Sequence, residues 1–115
     1  MTVTLNDDAF AHAKHLVRQG AVVRDERDDW SEHAPSADDE NRFIERNDYG
    51  AYAEWHLGVD RDEPPDTKKR YSFPYGDLKN VHRCAVISLE SRAAQYDHED
   101  IAKAAKRLLE LIDEG

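Results

Sequence analysis

Four side chains of types that hold or move charge stand near the middle of the sequence: His56, Tyr75, His82 and Arg83. If a helix begins at Leu78, His82 and Arg83 fall in its second turn and these groups gather near its foot, where unpaired backbone N–H groups and the helix dipole favour negative charge. Two imidazoles, a phenol and a guanidinium there would suit a small anion or a carboxylate ligand. The structural alternative is that His82 and Arg83 hydrogen-bond the backbone or the acidic stretch before them, with Asp77 already in the place an anion would take.

The other reactive types read as structural. His12 and His15 are spaced i, i+3, but no third ligand follows at helical spacing. His33 lies among Asp28, Asp29 and Glu32 in a hydrated, charge-rich stretch without the Asp-x-Asp-x-Asp-Gly pattern of a calcium loop. Cys84 is the only cysteine, which excludes an intrachain disulfide, a CxxC redox pair and a cysteine-based zinc site. In a helix starting at Leu78 it stands too deep for the dipole to activate it and on a different face from His82, so it reads as a small buried residue. Ser88 and Ser91 lie mid-helix without a nucleophile elbow. No metal, cofactor or catalytic residue is expected.

The elements that would position these groups are helical. Asp77 can cap by accepting from the N–H of Lys79 or Asn80, and Leu78, Val81, Ala85, Leu89, Arg92 and Tyr96 recur every three or four residues, which predicts a helix over 78–96. Asp97 caps a last helix whose stripe runs Ile101, Ala104, Ala105, Leu108, Leu111 and Ile112, so the two should pack as an antiparallel hairpin. Upstream, Asn6 caps a helix over 6–19 that stops at Gly20. Ala21-Val22-Val23 is a connector or a small strand, and Trp30 a lid on the core. Ser36 with Asp39 caps a surface helix anchored by Phe43 and Ile44, and Asp48 caps a helix over 49–57 that ends at Gly58. Residues 59–67, with Pro64-Pro65, form a linker, and 68–76 an extended arm. The expected fold is a single all-α domain over 1–115, of four to five helices, built on the C-terminal hairpin with the arm lying across it.

Composition narrows the function classes. Sixteen basic against twenty-five acidic side chains give a formal net charge of −9, which disfavours non-specific binding to nucleic acid or an anionic membrane. The charge is uneven, about −10 over residues 1–66 and about +1 over 67–115. Contact between the acidic first half and Lys68-Lys69-Arg70 is the simplest cause. Met1 to Leu5 include neither a basic n-region nor an apolar h-region, and no apolar run approaches a membrane span, so a cytoplasmic protein is expected.

At Arg70-Tyr71-Ser72-Phe73-Pro74-Tyr75-Gly76-Asp77, at Val81-His82-Arg83-Cys84 and at Glu90-Ser91-Arg92-Ala93-Ala94-Gln95-Tyr96 the chain resembles a group of small bacterial proteins. No activity is established for that group, so the resemblance implies no catalytic role for any residue. Three function classes follow. The first is an adaptor gripping a protein partner, or a second copy of itself, through Trp30, Trp55, Lys68, Lys69, Arg70, Tyr71, Phe73 and Tyr75, since aromatic and Arg residues are enriched at interface hot spots. The second is a small-anion binding protein or enzyme with its site at His56, Tyr75, His82 and Arg83. The third, which the overall acidity opposes, is single-stranded nucleic acid stacked on the 68–75 arm.

Overall fold

The computed structural model describes residues 3–25, 30 and 34–114. In chain order its elements are β1 (Val3–Leu5), α1 (Asp7–Arg18), β2 (Val22–Val23), α2 (Ala37–Arg46), α3 (Tyr49–Ala53), β3 (His56–Asp60), a 3-10 turn (Lys68–Arg70), β4 (Tyr71–Pro74), β5 (Val81–His82), α4 (Arg83–Gln95) and α5 (Glu99–Glu114). Strand β3 is the centre of an antiparallel sheet of order β1-β3-β4, and β2 pairs in parallel with β5. The expected all-α class is thus overturned: the domain is mixed α/β, with helices packed against two small sheets.

Burial explains why the sheets do not announce themselves. All five residues of β3 are buried, and a strand covered on both faces loses the alternation that marks a half-exposed one. Its first residues therefore read as the end of a helix and the rest as linker. Gly58 is not a helix stop but the middle of the sheet, paired with Leu5 on one side and Ser72 on the other. A Cβ there would lie 2.6 Å from Ser72 Oγ and 2.7 Å from the Phe73 ring, so only glycine lets β4 come this close.

The expected helix start at Leu78 is displaced as well. Asp77 does accept from the N–H groups of Lys79 and Asn80, at 3.0 and 2.8 Å. Leu78, however, has a positive φ of 70°, and the Asp77 N–H closes onto the Asn80 carbonyl at 3.1 Å. The result is a tight turn that sends the chain back, not the first turn of a helix. Val81 and His82 then run alongside Val22 and Val23, and α4 begins at Arg83.

Two other caps change role. Asn6 makes no cap bond at the head of α1; its amide donates instead to the carbonyls of Ala53 and His56, at 3.1 and 3.3 Å, and so ties α1 to the sheet. Asp97 lies at φ 62° before α5, while Asp100 accepts from the Leu5 N–H at 2.8 Å and holds β1 against that helix. The capping box of Ser36 and Asp39 does form at the head of α2.

Helices α4 and α5 pack as an antiparallel pair, with Arg83 at the start of one bonded to Asp113 near the end of the other at 2.9 Å and Glu90 facing Lys106 at 3.9 Å. Small residues in the shared core, Ala93, Ala104 and Ala105, allow close approach, and Leu89, Ile101, Leu108 and Ile112 fill the core beside them. Among the described residues no helix is long and apolar enough to cross a membrane. A Cβ at Gly76 would collide with the Asn80 carbonyl and lie 2.8 Å from the Trp55 ring. Gly76→Ala is therefore expected to lower stability by about 1–3 kcal/mol, read as a reduced urea midpoint at unchanged slope.

Candidate functional site

The parallel ladder of β2 and β5 pairs Val22 with Val81 and Val23 with His82. Continued two residues further, the same register brings Asp25 opposite Cys84, and the Asp25 carboxylate meets the head of α4 there. Its Oδ1 accepts from the Cys84 N–H at 2.8 Å, so a residue 59 positions away caps a helix to which the N-cap residue His82 gives no side-chain cap bond. Its Oδ2 lies 2.6 Å from His82 Nδ1. On the other side of the ring, Nε2 lies 2.8 Å from Asp77 Oδ2.

Each ring nitrogen thus faces an ionised carboxylate, which has no proton to give, so the ring is an imidazolium. Burial alone would lower the pKa of His82, but the hydrogen bonds to Asp25 and Asp77 outweigh it and raise it. Asp25 responds in the opposite sense: burial pushes it up, and the bonds from the Cys84 thiol, the Cys84 N–H and His82 pull it down to about 2. Asp77 is likewise lowered, since bonds from Asn80, His82 and Lys79 prevail over burial. The indole of Trp30 sits 5.6 Å from the imidazole, tilted by 51°.

Cys84 is the second residue of α4 and wholly buried. It therefore lies within the first turn, and His82, being off the helix, reaches the same cluster. Donor atoms of Asp25, His82 and Cys84 all fall within 4.8 Å of one another, the one group among the described residues able to hold a metal ion. Sequence spacing hides this set, because Asp25 lies in the stretch after β2, 57 residues before His82. The only available signal was the pair of valines before Asp25, read as a connector or small strand.

Of the four residues expected to form a ligand site, His82 alone belongs to this cluster. Arg83 turns to Asp113. Tyr75 is fully buried, stacked on Trp55 with ring centroids 5.3 Å apart, and donates to the Glu54 carbonyl at 2.7 Å. His56 lies between the rings of Tyr52 and Tyr71 and donates from Nδ1 to the Tyr52 carbonyl at 2.9 Å. Burial holds it neutral, with a pKa of about 4. The side chains do not converge on one pocket.

The arm is likewise committed to the fold. Lys68 reaches Glu40 at 3.3 Å, Arg70 donates to the carbonyls of Arg61 and Glu63, and the Tyr71 hydroxyl donates to the Pro65 carbonyl. Phe73 packs edge-on against His98, Trp55 is buried, and only Lys69 is exposed. Asp28, Asp29, Glu32 and His33 lie outside the described residues.

An open cavity of about 510 Å³ lies between α2 and the Asp77 turn, lined by Pro35, Asp39, Arg42, Phe43, Arg46, Asp77, Leu78 and Lys79 among others. Its carboxylates are engaged internally, Asp39 in the capping box and Asp77 with its own turn and His82. Arg42 has a long contact of 3.8 Å to Asp39. Arg46 and Lys79 make no ion pair of their own among the described residues. Comparison of the chain with protein-family models, with curated proteins and with solved structures gives no match.

Removing the Asp25 carboxylate deletes both the helix cap and one counter-ion of a buried imidazolium. Asp25→Ala is expected to cost about 3–5 kcal/mol in chemical denaturation. His56 supplies a separate pH signature. Its folded pKa, about 4, lies below the ordinary 6.5, so on acidification the unfolded chain takes up the proton first. The stability contributed by neutral His56 is complete above pH 6.5 and lost as pH falls toward 4. The wild type is expected to lose on the order of 3 kcal/mol across that window relative to His56→Gln, measured by parallel denaturation curves.

Proposed function

We propose that this chain is a small binding protein with no catalytic task of its own, and that the groove between α2 and the Asp77 turn receives an acidic segment of a protein partner. The observation that carries this reading is one of charge. On a chain of formal net charge −9, the cavity between α2 and the Asp77 turn presents Arg42, Arg46 and Lys79 beside the apolar side chains of Pro35, Phe43 and Leu78. Three cations stand against two carboxylates there, and Asp77 is paired with His82, so the lining carries a positive excess. A volume of about 510 Å³ accepts one large apolar side chain with flanking carboxylates.

The adaptor role expected from the sequence is kept, but the gripping surface moves. Residues 68–75 are tied down by internal bonds and leave little aromatic or basic surface for a partner or for stacked bases. At His56, Tyr75, His82 and Arg83 each side chain already has an internal partner, which favours the groove as the binding surface.

An NMR titration of the labelled protein with an acidic hexapeptide carrying one central leucine is expected to shift the resonances of Arg46, Leu78 and Lys79. Affinity should fall as salt rises. The double variant Arg46→Glu, Lys79→Glu should bind at least about tenfold more weakly, equivalent to ~1.4 kcal/mol. Equal shifts with a lysine-rich counterpart, or none at the groove, would reject the proposal.

A further inference from the structure

We infer that Asp25, His82 and Cys84 form a binding site for a zinc-type divalent ion, with Asp77 as the outer partner of the histidine. The donor set is a carboxylate, an imidazole and a thiolate. This combination of borderline and soft ligands selects zinc or cobalt over magnesium and calcium, which take oxygen ligands. The three donors come from β2's extension, β5 and the first turn of α4, held in place by the parallel register described above.

Each donor is already aimed. Asp25 spends Oδ1 on the Cys84 N–H, which leaves Oδ2 directed at His82 Nδ1. Asp77 stands 2.8 Å from Nε2, where it can take the Nε2–H and leave Nδ1 as the ligating nitrogen. That is the carboxylate–histidine–metal relation that fixes tautomer and ring orientation in metal sites. Cys84 is completely buried and His82 nearly so, a dry setting in which two anionic ligands and a divalent ion interact strongly.

Zinc lies about 2.0 Å from nitrogen and oxygen and about 2.3 Å from sulfur, so neighbouring donors stand roughly 3.3–3.7 Å apart. Asp25 Oδ2 and His82 Nδ1, now at 2.6 Å across a shared proton, need to part by about 1 Å as the ion replaces that proton. Binding therefore releases about two protons near neutrality, one from His82 and one from the Cys84 thiol. The three ligands leave the fourth tetrahedral position to water or to another donor. Metal and proton compete for one place, and either ties the two chain segments together.

The test is a titration of the reduced, metal-free full chain with cobalt(II). One equivalent should produce visible d–d bands of tetrahedral intensity and a near-ultraviolet thiolate-to-cobalt charge-transfer band, both bleached by one equivalent of zinc. Cys84→Ser should lose the charge-transfer band. Asp77→Asn should keep it while binding about 10–100-fold more weakly. The double variant His12→Ala, His15→Ala should behave as wild type. A folded wild-type protein with no charge-transfer band, or a band that survives Cys84→Ser, overturns the site. If Cys84→Ser does not fold, cadmium NMR of the wild type reads the number of sulfur donors directly: one supports the site and none overturns it.

Discussion

A buried imidazolium between two carboxylates fixes where three distant stretches of this chain meet. His82 closes the short strand β5, Asp25 follows β2, and Asp77 heads the turn between β4 and β5. A charge taken out of water costs several kcal/mol unless it is paired and hydrogen-bonded. His82 therefore tolerates its 3% exposure only while both carboxylates are in place. Asp25 has a second duty at the head of α4, so the same side chain that neutralises the ring also satisfies a helix terminus with no local cap. The interaction gives position more than surplus stability, since two desolvated carboxylates offset much of what they contribute.

The rest of the molecule can be followed outward from this point. On the inner side, the Asp77 turn places Tyr75 and Gly76 against Trp55, which fixes the end of β4 and with it the sheet. On the outer side, the same turn presents Leu78 and Lys79 to the groove beneath α2. Leu78 is held at a φ that leucine rarely adopts, and the surrounding bonds of Asp77 and Asn80 are what maintain it. Two functional proposals, one for the groove and one for the cluster, thus share a wall but rest on different atoms: exposed cations in the first, buried donors in the second.

Long, periodic helices were readable from residue types alone. The stripe from Ile101 to Ile112 and the face of Phe10, Ala13, Leu16 and Val17 emerge as α5 and α1, and the Ser36–Asp39 capping box is present at α2. The strands were not, for definite reasons. β1, β2 and β5 are two or three residues long, too short for a period to register, and β3 is buried on both faces. Asp77 illustrates how a local signal can be right and its consequence wrong: the side-chain bonds to Lys79 and Asn80 form, yet the backbone turns back at Leu78 and β5 pairs with β2. The chemistry was legible only in part. His82 stood out by type, whereas its partner Asp25 was one acid among twenty-five acidic side chains, recognisable only after two strands had been paired.

Parallel pairing of β2 with β5 joins positions nearly 60 residues apart through a ladder of only two residues each. Contacts of that range close late, because the loop between them must be gathered before any gain is realised. The first helix rests on β3 through Asn6 and on Trp55 through His12 as well as on α5, whereas the lone strand after α1 waits for β5. A chain cut between α1 and β5 thus lacks both the partner strand of β2 and the helix end that Asp25 caps.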